Sequence, residues 1–165
     1  MPAASGWHWN MQNSQPSDGV PDERLSLIAD SYRRLTGKVL VKATAATPVE
    51  LRRQLWEAPV AIVAHGTEPD PVFFYGNRHA LECFGMSFGE FTRLPSRLSA
   101  EPMAQQAREK LLKQVTRNGY VAGYSGMRIA KDGSRFMITD ATIWNLLDVQ
   151  GGYHGQAAVF IRQDG

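Results

Sequence analysis

From Asp22 onward apolar residues return at helical spacing: Leu25, Ile28, Tyr32 and Leu35 form one stripe, and Gly37 supplies a stop. A second helix is predicted to open at Thr47-Pro48-Val49-Glu50. There Thr47 caps the free amides, Pro48 suits the first turn and Glu50 reaches back to the cap. Pro59 limits this helix, and its Leu51 and Leu55, one turn apart, need cover from the sheet or from a second subunit. The continuous apolar run from Pro59 to Ala64 reads as a strand buried on both faces. After a turn-rich stretch, Val72 to Tyr75 is the next strand and can pair with the first as a hairpin. Asn77 caps a short helix that turns Ala80, Leu81 and Phe84 to the core and stops at Gly85, and Ser87-Phe88-Gly89-Glu90 repeats the capping box. A longer helix is predicted from about Glu101 to Asn118, with Met103, Ala107, Leu111 and Val115 on its stripe. The last part of the chain is β-rich. Strands over 120–130, 135–147 and 153–162 are joined through Asp132-Gly133 and Gly151-Gly152, dipeptides that tight antiparallel connections favour.

This order of elements predicts an α+β fold of the PAS kind: a five-stranded antiparallel sheet with helices on one face, preceded by N-terminal helices. Residues 1–20 are rich in Ser, Asn, Gln, Gly and Pro and read as a mobile tail, while 21–163 form a single domain. Trp7 and Trp9 are the tail's exceptions, since two indoles can dock on a groove of this chain or of a neighbour. An α+β cone with an enzymatic pocket, of the nuclear-transport-factor kind, is the alternative architecture, but its helices-first order fits less well.

Composition narrows the function classes. A hydrophobic content of 43% with 21% charged residues is ordinary for a folded domain. No apolar run approaches the length of a spanning helix, and the start has no secretion pattern, so a cytoplasmic protein away from membranes is expected. Cys83 is the single cysteine, which excludes an internal disulfide and a thiolate zinc cluster. The net charge of +2 arises from scattered pairs such as Arg33/Arg34 and Arg52/Arg53 beside acidic neighbours, so direct nucleic-acid binding is not expected.

The segment from Ala64 through His65-Gly66-Thr67-Glu68-Pro69-Asp70-Pro71 to Leu81 resembles the MEKHLA domain. So do Tyr124-Ser125-Gly126-Met127-Arg128-Ile129, Ile143-Trp144-Asn145-Leu146 and Gly155-Gln156-Ala157. The resemblance spans 22–162. It implies a PAS-related regulatory module, of a type that stands alone in bacterial proteins and also ends the plant class III homeodomain leucine-zipper transcription factors. These residues show no homeodomain or zipper pattern, so transcriptional control is not carried over, and the family offers no catalytic residues to map.

Candidate chemistry is sparse. His79 and Cys83 lie four apart on one helix and share a face, but a metal or haem site needs ligands that this spacing does not supply. A flavin-thiol adduct is disfavoured because no Asn-Cys-Arg-Phe motif is present. On the long strand, Phe136, Ile138, Trp144 and Leu146 alternate onto one face that Asp140 and Thr142 interrupt. A carboxylate there needs a partner such as Arg128, Tyr124, a backbone amide or a ligand. If this face lines a cavity, its walls are Tyr124, Asp140, Thr142 and Trp144, opposite Leu81, Cys83 and Phe84 on the short helix. His65 near Glu68 and Asp70 could form an acid-base site, though a polar turn looks the same. No elbow, phosphate loop or dinucleotide pattern appears, and a non-enzymatic protein is expected.

Two function classes follow: a sensor with a small molecule between helices and sheet, its cofactor or ligand unspecified by the residues, or an interaction module with a filled core. The second needs an exposed apolar patch, for which Tyr32 and Leu35 are candidates. Homodimerisation is compatible with both.

Overall fold

The computed structural model describes residues 16–42, 47–101 and 105–163, so Trp7, Trp9 and Met103 lie outside the described residues. Among the described residues five helices and five strands follow one another. They are α1 (Asp22–Thr36), α2 (Pro48–Glu57), β1 (Ala61–His65), β2 (Phe73–Gly76), α3 (Arg78–Phe84), α4 (Phe88–Phe91), α5 (Gln105–Asn118), β3 (Tyr120–Ile129), β4 (Arg135–Leu147) and β5 (Tyr153–Arg162). The expected caps form. Thr47 accepts from the Glu50 amide at 3.1 Å, Ser87 and Glu90 close a capping box, and Gly37 and Gly85 end their helices at positive φ.

The strands make one antiparallel sheet in the order β2-β1-β5-β4-β3. Its two faces are covered by different helices. Ile62 and Ala64 of β1 join Leu25, Ile28, Leu51, Leu55, Trp144 and Leu146 in an outer cluster under α1 and α2. The alternate residues Ala61 and Val63 join Leu81, Phe84, Phe91, Phe136, Ile138 and Phe160 in an inner cluster under α3 and α4. The apolar run of β1 is thus buried on both faces, as its lack of alternation requires. Leu51 and Leu55 are covered by the chain's own sheet rather than by a second subunit.

Polar bonds fasten each layer. Ser31 of α1 donates to the Leu147 carbonyl and accepts from the Leu147 amide, both at 2.9 Å, and the Trp144 indole donates to the Ile28 carbonyl at 3.2 Å. Asn77, fully buried, is the joint between layers. Its Oδ1 accepts from the Ile62 and Ala80 amides, each at 3.0 Å, and its Nδ2 donates to the carbonyls of Leu55 at 3.0 Å and Val60 at 2.8 Å. All four bonding positions of the amide are therefore used.

Three local expectations change. Residues 16–20, read as the end of a tail, include a 3-10 turn whose Ser17 is buried, and Val20 joins the outer cluster. Arg52 holds this turn by donating to the carbonyls of Ser17 and Val20, both at 2.6 Å. The α5 stripe is weak: Val115 is buried, Leu111 is half-buried and Ala107 is exposed. A further 3-10 turn, Ser96–Ser99, was not expected and proves to shape the site.

Candidate functional site

The inner face owes its shape to one residue of β4. Thr139 pairs with Ile161 and Thr142 with Val159, so Asp140 and Ala141 together stand opposite Phe160 as a bulge. Asp140 takes φ 51, a left-handed value that Asp tolerates better than most residues. The bulge swaps the faces of the strand. Before it, Phe136 and Ile138 point inward; after it, Ala141 belongs to the inner cluster whereas Trp144 and Leu146 belong to the outer one. A single alternating face from Phe136 to Leu146, as the sequence suggested, is thereby corrected.

Behind Ala141 the inner face is not filled. A chamber of about 170 Å³ lies between the sheet and the helical side, with Val63, Phe73, Phe84, Ile138, Ala158 and Phe160 among its walls. Five of its lining residues, His65, Ser96, Ser99, Arg128 and Gln156, also line a larger outer cleft of about 620 Å³, so they form the neck between the two. Leu98, Leu112 and Tyr153, all substantially exposed, stand around that outer cleft.

Local backbone fixes the neck. A β-carbon on Gly155, at φ 126, would fall 2.0 Å from the His65 carbonyl oxygen, so only glycine lets β5 pass β1 here. The Ser96–Ser99 turn is tethered by the Ser96 amide, which donates to the Pro71 carbonyl at 2.8 Å, while the Phe73 amide donates to the Leu94 carbonyl at 3.1 Å. Most polar groups of the neck already have partners. The Ser99 hydroxyl donates to the Ser96 carbonyl at 2.7 Å, Gln156 Nε2 donates to Asn145 Oδ1 at 3.2 Å, and His65 Nδ1 lies 2.9 Å from the Gly66 carbonyl oxygen. Arg128 is the exception in kind: it donates to the adjacent Met127 carbonyl at 2.8 Å and lies 5.7 Å from the Tyr124 ring centre, but has no ion pair with a described residue.

The sequence candidates fall into three groups. Phe84 lines the chamber, and Leu81, Cys83 and Tyr124 belong to or pack on the same inner cluster without lining it. Asp140 is exposed on its bulge and makes no ion pair with Arg128. Thr142, paired with outer-face Val159, and Trp144 stand on the other side of the sheet, so neither can be a cavity wall. Tyr32 and Leu35 are also not a docking patch. Tyr32 is buried with its ring 4.8 Å from that of Trp144, and Leu35 packs on the outer cluster. Two members of the proposed acid-base trio are engaged elsewhere. The Val72 amide bonds to Glu68 and holds its carboxyl below the usual range, and Asp70 pairs with Arg97 at 3.1 Å. Among the described residues no three His, Cys, Asp or Glu side chains are grouped to hold a metal, and no helix is long and apolar enough to cross a membrane. Sequence reasoning missed Ser96, Ser99 and Gln156 as neck residues, because nothing in a lone 3-10 turn or a strand glutamine announces a cavity.

Comparison with known proteins agrees with this architecture. The PAS domain of a protein from Colwellia psychrerythraea superposes with a TM-score of 0.59 at 14% identity, covering 71% of this chain and 98% of that one. A light-oxygen-voltage domain studied with a flavin analogue gives 0.57 at 20% identity over 70% and 85% of the two chains. The dark structure of the blue-light photoreceptor Aureochrome1 LOV gives 0.54 at 16% over 76% and 88%. These likenesses establish the PAS fold. A search of curated proteins found no match. The family model described as the MEKHLA domain matches residues 22–164, which is most of the chain, and with the fold in agreement this protein belongs to the MEKHLA domain family.

Proposed function

We propose that this domain is a non-catalytic sensor that takes a small organic molecule into the chamber between sheet and helices. The observation that supports the reading is the contrast between a packed core and one chamber with a polar neck. Interiors are close-packed, and a gap of about 170 Å³ is a departure from that rule. A cavity of roughly 150 Å³ accepts benzene, so this one has room for a single ring or a branched aliphatic group. Phe84, Ile138 and Ala158 would contact the apolar part and the neck residues would orient the polar part.

The relatives' flavin does not fit the chamber as it stands. Three fused rings exceed its volume, and Cys83, the single thiol, is not among its walls.

A thermal-shift screen of small organic metabolites against wild type and Ala158→Leu tests the reading. Ala158→Leu places three extra carbons in the chamber. At least one compound should raise the melting temperature of wild type and leave the variant unmoved. A screen in which every stabilising compound acts equally on both proteins would remove the chamber from consideration.

A further inference from the structure

The walls and neck of the chamber specify a class of ligand, and the inference rests on the reading that the chamber is a ligand site. The inner walls are apolar, so they select for one ring or a branched hydrocarbon group and offer nothing to a second charge. Charge enters at the neck. Two carboxylates line the outer cleft, and each already has a cation: Asp70 pairs with Arg97 at 3.1 Å, and Glu101 pairs with Arg135. Arg128 lines both the chamber and the cleft, is half-buried, and has no carboxylate among the described residues. Of its five N–H donors one is directed to the Met127 carbonyl.

The planar fork of a guanidinium matches a carboxylate with two parallel bonds. Ser96, Ser99 and Gln156 are uncharged, so Arg128 is the permanent cation at the neck that can meet an incoming negative charge. We propose that the ligand is a small monocarboxylic acid, with its ring or branched chain in the chamber and its carboxylate on Arg128.

Benzoate and its neutral counterpart benzamide are suitable probes, titrated by calorimetry at low salt into wild type, Arg128→Gln and Ala158→Leu. Wild type should hold benzoate at least roughly tenfold more tightly than benzamide, the range expected for a bond to a charged group. Arg128→Gln should lose that preference while binding benzamide as before, which also shows that the variant is folded. Ala158→Leu should weaken both probes. Equal affinities of wild type for the two probes, or a preference that survives Arg128→Gln, would overturn the carboxylate inference and leave the chamber as a site for neutral ligands. Saturable binding of neither probe to wild type would overturn both the inference and the reading beneath it.

Discussion

On the outer face of the sheet Trp144 meets Tyr32 edge-on, its indole bonds to Ile28, and Leu25, Leu55, Ile62 and Leu146 close around it. On the inner face Phe84 packs at a tilt on Phe91 and edge-on against Phe136, yet a chamber remains beside Ile138 and Ala158. The same strands supply both faces. What differs is the layer over each cluster: two helices of 15 and 10 residues over the outer one, and helices of 7 and 4 residues with a 3-10 turn over the inner one, while the 14-residue α5 lies against β3 and β4. Long helices lay continuous stripes on a sheet, whereas short ones leave a gap at their ends. A fold can thus keep stability on one side of a sheet and a binding chamber on the other.

The strongest way to break this division is on the outer face. Trp144→Ala should cost about 3–5 kcal/mol in urea unfolding, since a large buried ring leaves a cavity that two rigid layers cannot close. Next comes Asn77→Ala, which removes a partner from three buried backbone groups and one partly buried one and should cost roughly 3 kcal/mol by the same measurement. A matched pair on β5 compares the faces directly. Both border the chamber, but Ala157 belongs to the outer cluster whereas Ala158 packs on the inner one. Ala157→Leu should cost about 1–3 kcal/mol through overpacking, and Ala158→Leu should change stability by less than about 1 kcal/mol. Equal costs would deny the contrast.

A small effect of the opposite sign belongs to Tyr75. Its hydroxyl is buried without a hydrogen-bond partner among the described residues, and burial pushes its ionisation well above the ordinary tyrosine range. Tyr75→Phe should raise stability by roughly 1 kcal/mol. The sign of the pH effect follows from the raised folded-state value. Burial of neutral Tyr75 is not penalised by ionisation below about pH 10, where the unfolded phenol starts to lose its proton. Above that pH the contribution fades, so wild type should lose stability more steeply than Tyr75→Phe in alkaline unfolding curves.

Much of the fold was legible because its signals are local. Thr47, Asn77 and Ser87 are caps whose side chains act within three residues, and the double burial of β1 is written in its unbroken apolar run. The site was less legible because it depends on a bulge and a neck. Alternation read from Phe136 to Leu146 assumes an unbroken strand, and one residue at Asp140 reverses every assignment after it. A clue was present. An unpaired carboxylate on a buried face is so unfavourable that Asp140 itself argued for a break in the pleat. The role of Asn77 beyond its cap, and the meeting of His65, Ser99, Arg128 and Gln156 at one neck, come from distant parts of the chain and leave no periodic trace.

The most direct test of the central claim is a titration with benzene followed by methyl NMR. The account predicts saturable shifts at Val63, Ile138, Ala141, Ile143 and Ala158, which line the chamber, with Leu25, Ile28 and Leu55 unmoved on the outer face. An absence of saturable shifts, or shifts centred on the outer face, would contradict it.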